Sequence, residues 1–275
     1  MEKIRDFSRR SPVWFSVALT LLVILIHEVL SRIHASLPDS IGIDIAYQLL
    51  FMAWPAALVV YFGFSFIFRQ RGLRATLRAG MPLLLMYAVT FVFLIFSRKA
   101  DPTVDWKSPA EMVLGVIMLI GVGFREEVIF RGIACNAIAR KYAHSVKGIW
   151  LTAFASGAVF GALHMGNLLN GVTLQGALSQ TLGAFGTGVL FCAIYLRGGS
   201  IWVMALIHSL MNAVGAVDAL FVNAESLSSV INSMDGLSQL ILLLPNFLMA
   251  AYLLRKSRRQ KILDRMQKLR DEILV

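Results

Sequence analysis

The sequence predicts an all-α, polytopic membrane protein of about eight spanning helices, with both termini in the cytoplasm. Three observations carry this. Hydrophobic residues make up 57% of the 275 and charged ones only 15%, against about 45–50% and about 25% in a soluble domain. Apolar runs long enough to cross about 30 Å of hydrocarbon recur eight times along the chain. The 26 Lys and Arg residues gather in alternate connecting segments, as orientation in a bilayer requires. Together these exclude a soluble cytosolic enzyme, a disordered chain and a fibrous one.

The runs span residues 12–30, 43–68, 80–97, 109–123, 148–164, 173–196, 200–222 and 236–254. The first follows Lys3, Arg5, Arg9 and Arg10 like a signal peptide, but no small-x-small cleavage site follows it, so it is read as a span. Pro55 is expected to kink the second, which lipid-embedded helices tolerate. With the N-terminus inside, 22 of the 26 basic residues fall in inner segments, leaving Arg32, Arg98, Lys99 and Lys107 outside. Most loop carboxylates, among them Asp39, Asp101, Asp105 and Asp218, fall outside as well. The whole chain, 1–275, reads as one membrane domain. Its tail, 255–275, repeats Ile262, Met266, Leu269 and Ile273 at 4-3-4 spacing. That makes a basic amphipathic helix expected on the inner leaflet, with a short coiled-coil contact as the alternative.

A net charge of +10 in such a chain points to anionic headgroups of the inner leaflet as the partner, not to nucleic acid. Cys135 and Cys192 lie in apolar stretches and offer neither zinc-ligand spacing nor a disulfide framework.

Ionisable side chains inside spans are costly and face a cavity or a partner. His27 and Glu28 end the first span and read as an interfacial cap; the second histidine of a zinc-protease helix is missing. The helical run from Pro109 to Lys141 carries Glu126, Glu127 and Arg131. Glu127 and Arg131 are four apart and share a face. Glu126 points about 100° away, with no cation on its own face, and so needs a partner from another helix. His164 closes Phe160–x–x–x–His164, and His208–x–x–x–Asn212 sits in the seventh span. At about 1.5 Å per residue, Glu126, His164, Asn212 and His208 lie roughly 21, 24, 18 and 12 Å from the inner ends of their helices. Four polar groups on three helices therefore share a depth. Gly157 and Gly161, spaced small-xxx-small, allow the close approach that such a cavity needs.

A carboxylate and an imidazole from separate helices can hold and deprotonate a water. A His/Asn pair on one face can stabilise an oxyanion. With no placed Ser or Cys nucleophile, this set describes direct attack of water on an amide carbonyl. Glu126 and Glu127 are adjacent on one helix and cannot face one another, which disfavours a glycosidase-type pair.

The motifs Glu126–Glu127–x–x–x–Arg131–Gly132, Phe160–x–x–x–His164 and His208–x–x–x–Asn212 resemble, in order and spacing, those of the CAAX-prenyl protease and bacteriocin-processing family of intramembrane proteases. The resemblance covers roughly residues 111–212. It implies a metal-free, cofactor-free glutamate protease of this size. Glu126 and His164 would activate the water, His208 and Asn212 would form the oxyanion site, and Glu127, Arg131 and Phe160 would support it. The implied partner is a peptide or membrane-protein substrate, and the expected location is a bacterial inner membrane. A zinc site of His164, His208 and Glu126 is the alternative that the spacing permits. A non-catalytic scaffold, immunity or sensor-kinase regulatory protein of the same fold is the rival function. A proton-coupled transporter is disfavoured, because neither an inverted repeat nor paired broken helices are found.

The charge distribution generates one direct prediction. Cysteines introduced at Ser8 and Gln260 should be labelled from the cytoplasmic side only; labelling of either from outside contradicts the eight-span arrangement.

Overall fold

The computed structural model describes residues 2–69, 72–223 and 226–273. Among the described residues the chain is all-helical; the one β-type pairing is an isolated bridge between Trp106 and Val222. Thirteen α-helices follow one another. They are α1 (Glu2–Arg10), α2 (Pro12–Ala35), α3 (Ile41–Tyr61), α4 (Leu73–Lys99), α5 (Pro109–Glu127), α6 (Asn136–Tyr142) and α7 (Val146–Leu163). Then come α8 (Leu174–Gly198), α9 (Ile201–Gly215), α10 (Val217–Phe221), α11 (Leu227–Asn232), α12 (Gly236–Leu253) and α13 (Lys256–Ile273).

Six of these, α2, α3, α4, α7 with its 3-10 extension to Asn170, α8 and α12, are long and apolar enough to cross a membrane. The protein is a multi-pass membrane protein. Two further expected spans fall outside this set for separate reasons. Helix α5 carries Glu111, Arg125, Glu126 and Glu127, too many charges for a lipid-facing segment. Helix α9 has only 15 residues and stops at Gly215, so the expected run to Val222 is broken into α9 and α10. The second run is also shorter than expected: α3 ends at Tyr61, and Ser65–Phe68 is a separate 3-10 turn.

Local chemistry sets the helix starts. Pro12 and Pro109 occupy first-turn positions, where a missing N–H costs nothing. Ser108 and Glu111 form a capping box, each side chain bonding the other's backbone N–H. Ser145, Thr173, Ser200 and Asp235 cap α7, α8, α9 and α12 through their side-chain oxygens. Between α8 and α9 the chain reverses at Gly199, whose φ of +87° is open mainly to glycine. There Ser200 N–H donates to Thr76 Oγ1 at 3.0 Å, stitching the turn to α4.

The helical run from Pro109 to Tyr142 is continuous, as its sequence predicts, but it is not α-helical throughout. Val128–Cys135 is a π-helix, and all eight of its side chains are buried. It touches α2, α3, α7, α8 and α9 and is the hub of the main core. A π-turn skips the usual i→i+4 bond; here Asn136 Nδ2 donates to the carbonyls of Arg131 (3.1 Å) and Gly132 (2.9 Å) and to Tyr195 Oη (2.9 Å). Gly157 and Gly161 do permit close approach, to α8: a Cβ on Gly157 would lie 2.9 Å from Phe185 O and Val189 N.

The connecting segments sort into two ends. At one, Arg98 grips Asp218 through two bonds of 2.6 and 2.5 Å, and Lys107 Nζ donates to Ala219 O. At the other, Arg5 donates to Tyr61 O, Lys141 to Arg10 O, and Arg265 to Tyr195 O and Leu196 O. Helices α1 and α13 both pack on α6, so both termini occupy this second end. Helix α13 differs from the expectation of a helix lying on the leaflet. Ile262 and Met266 are buried in the protein's own core, and Arg265 reaches the C-terminal carbonyls of α8, where the helix dipole favours a cation. The expected apolar positions Leu269 and Ile273 have side chains outside the described residues.

Candidate functional site

The last turn of α5 supplies Glu126 and Glu127, and the π-helix that follows supplies Arg131. Glu127 and Arg131 are fully buried, with Oε1 2.8 Å from Nη1, the pairing their spacing predicts. The other N–H groups of Arg131 have no hydrogen-bond partner. They are covered by aromatic faces, with the guanidinium carbon 4.3 Å from the Phe160 ring centroid and 5.1 Å from that of Phe191. A desolvated cation over a ring gains up to about 2 kcal/mol, which offsets part of the burial cost.

His208 comes from α9 and is buried. Its Nδ1 lies 2.8 Å from the same Glu127 Oε1, and its Nε2 lies 3.5 Å from Glu126 Oε2. The two adjacent glutamates diverge on their helix, yet one imidazole reaches both from its opposite ends. Phe160 and Phe191 pack edge-on against this ring at 5.7 and 5.5 Å and fix its plane. Helices α5 and α9 meet closely here, because Gly123 leaves no side chain against Ser209 and the Ala205 carbonyl.

His164 begins the 3-10 turn that ends α7. Its Nδ1 lies 3.2 Å from Phe160 O. A carbonyl only accepts, so Nδ1 donates this bond. His164 and His208 both lie within electrostatic reach of Glu126. Asn212, one turn beyond His208, is half-buried and makes no hydrogen bond to another described group. Glu126 and His208 are buried, while His164 and Asn212 are half-buried.

Sequence reasoning missed three neighbours. Glu126 does have a local cation: Arg125 Nη2 is 3.5 Å from its Oε1. Facing was judged by the Cβ direction, but a long guanidinium folds back beside the next residue. Arg125 is itself buried, stacked 3.7 Å over Phe51, with Nε and Nη1 unbonded. His27, expected as an interfacial cap, lies 5.0 Å from Phe51 and within electrostatic reach of Arg125 and Glu126. Phe191 is the third, and a lone phenylalanine in an apolar helix carries no signal. Among the described residues, no three His, Cys, Asp or Glu side chains form a group able to hold a metal ion. Cys135, the last residue of the π-helix, and Cys192 of α8 are free and buried, their sulfurs 3.2 Å apart.

Residues 108–214 match the family model described as type II CAAX prenyl endopeptidase, Rce1-like. The matched segment holds all three motifs and runs from the capping box of α5 to the end of α9. No curated protein and no solved structure matches the chain.

The ion pair generates a stability prediction. Arg131→Met leaves Glu127 buried without its cation and should cost about 3–5 kcal/mol, read as a large fall in thermal unfolding temperature in detergent. Glu126→Gln, made on the same helix, loses only the longer 3.5 Å approaches of Arg125 and His208 and leaves a neutral acceptor beside them, so it should cost clearly less; equal losses in both would contradict the separation of the two carboxylates.

Proposed function

We propose that the protein is an intramembrane peptidase, similar to CAAX proteases, that hydrolyses a peptide bond with a water activated by Glu126 and His164. The observation that carries this is that His208 of α9 lies 3.5 Å from the buried Glu126 carboxylate of α5, with His164, in the turn after α7, within electrostatic reach of it. The family match over the same residues supports a protease.

In this reading Glu126 accepts a proton from the water, and the unprotonated Nε2 of His164 holds the second water hydrogen. The hydroxide adds to the scissile carbonyl carbon. The developing oxyanion accepts hydrogen bonds from the Asn212 amide and from His208 when it carries a proton on Nε2. Glu127 bonds Nδ1 of His208, so the ring stays turned toward the reaction, the role a second carboxylate plays beside a working histidine. Collapse of the tetrahedral intermediate breaks the C–N bond, and Glu126 returns its proton to the leaving amine. No step requires a metal. The substrate is a peptide or membrane-protein segment. Both termini share one end of the bundle, where basic residues gather, which supports an even number of crossings with that end in the cytoplasm.

The test compares the membrane peptidome of cells carrying the wild type with that of cells carrying Glu126→Gln. Peptides that depend on the wild type should vanish while the variant accumulates normally. With such a peptide in a reconstituted assay, Asn212→Ala should lower kcat by about 10²–10³ with little change in KM, and a chelator should leave turnover unchanged. Identical peptidomes would favour a scaffold, and chelator loss restored by zinc would favour the histidine–glutamate metal site.

A further inference from the structure

At the end of the bundle that holds both termini lies a cavity of about 330 Å³, open on one side. That falls within the range of about 300–1,000 Å³ typical of small-molecule sites. Its walls come from four helices and the turn that follows α12. Arg78 is from α4, Arg197 from the last turn of α8, Arg255 from the turn after α12, and Arg258 and Lys261 from α13. No carboxylate lines it, and among the described residues none of these five cations pairs with one. Arg197 feels the charges of both Arg255 and Arg258. Five like charges gathered in one concavity repel one another unless an anion joins them.

The remaining wall is apolar. Ala79 and Leu253 are buried at its floor. Tyr252, 60% exposed, lies at its edge with Arg255 stacked 3.8 Å over the ring. Tyrosines that are half apolar and half wet collect at the headgroup level of a bilayer. Beyond the cavity α4 and α12 flank α8, and both expose long rows of apolar side chains, Leu85, Val89, Leu244 and Leu248 among them. A charged pocket thus continues into a surface suited to hydrocarbon.

We propose that this cavity is a binding site for a phosphate-bearing anion, occupied in the membrane by the headgroup of an anionic phospholipid. Basic pockets between helix ends on the cytoplasmic side take such headgroups, and arginine forks match phosphate oxygens in pairs. The bound phosphate joins α13 to α4 and α8, adding to the Arg265 bonds that already hold α13 to α8. This inference is independent of the peptidase reading, since none of the five cations belongs to the site around Glu126.

The test uses the full chain purified in a neutral detergent. Thermal unfolding and native mass spectrometry are followed while phosphatidylglycerol, phosphatidylcholine or inorganic pyrophosphate is added. Phosphatidylglycerol should raise the unfolding temperature by several degrees and survive as a bound adduct, and phosphatidylcholine should do neither. The double variants Arg197→Gln/Arg258→Gln and Arg78→Gln/Lys261→Gln should each weaken the effect at least fivefold; the second pair lies at exposed positions and guards against a folding defect in the first. Pyrophosphate matching phosphatidylglycerol would overturn the lipid as occupant in favour of a soluble phosphate. Equal stabilisation of wild type and both variants, or none from any anion, would overturn the site itself.

Discussion

Glu127 is a carboxylate with no exposed surface, and an ion stripped of water must be paired or it will not stay folded. Its two partners arrive from different places: Arg131 from the π-helix one turn on, and His208 from α9. Each is then covered by Phe160 from α7 and Phe191 from α8. One buried charge therefore obliges four helical elements to meet at one point. Glu126 lies one residue from that point and inherits a fixed position. The expensive buried pair thus fixes the geometry around its neighbour.

The π-helix is the backbone counterpart of this arrangement. A π-turn breaks the regular bonding register and is uncommon except at functional sites. Here it follows Glu127 directly and contains Arg131, so the pair straddles the change of register. The carbonyls it disturbs are satisfied by Asn136, whose amide also donates to Tyr195 Oη across the core. Tyr195 O in turn accepts from Arg265, so the tail helix α13 is connected to the backbone beneath the site through two hydrogen-bonding residues.

Much of this was legible in the sequence, for identifiable reasons. Apolar runs and basic loops report on the bilayer, which acts on every residue; hence the all-helical, multi-pass architecture was readable. The i, i+4 pair Glu127/Arg131 was readable because helix geometry makes spacing equivalent to facing. The unreadable parts depend on what spacing does not encode. A π-turn has no composition of its own. Arg125 reaches Glu126 through side-chain length, not helical face. The apolar stripe of α13 would suit lipid or protein equally, and the structure turns Ile262 and Met266 to the core. His27 is near the site only because α2 packs against the π-helix, a tertiary fact.

The central claim is that Glu127 and His208 act as one unit. A double-mutant cycle on unfolding free energy, with Glu127→Gln, His208→Gln and both together in the full chain in detergent, measures this directly. The account predicts a coupling of at least about 1 kcal/mol, within the range of about 0.5–3 kcal/mol found for residues sharing a buried network. Additivity to within about 0.3–0.5 kcal/mol, the behaviour of independent sites, would contradict it.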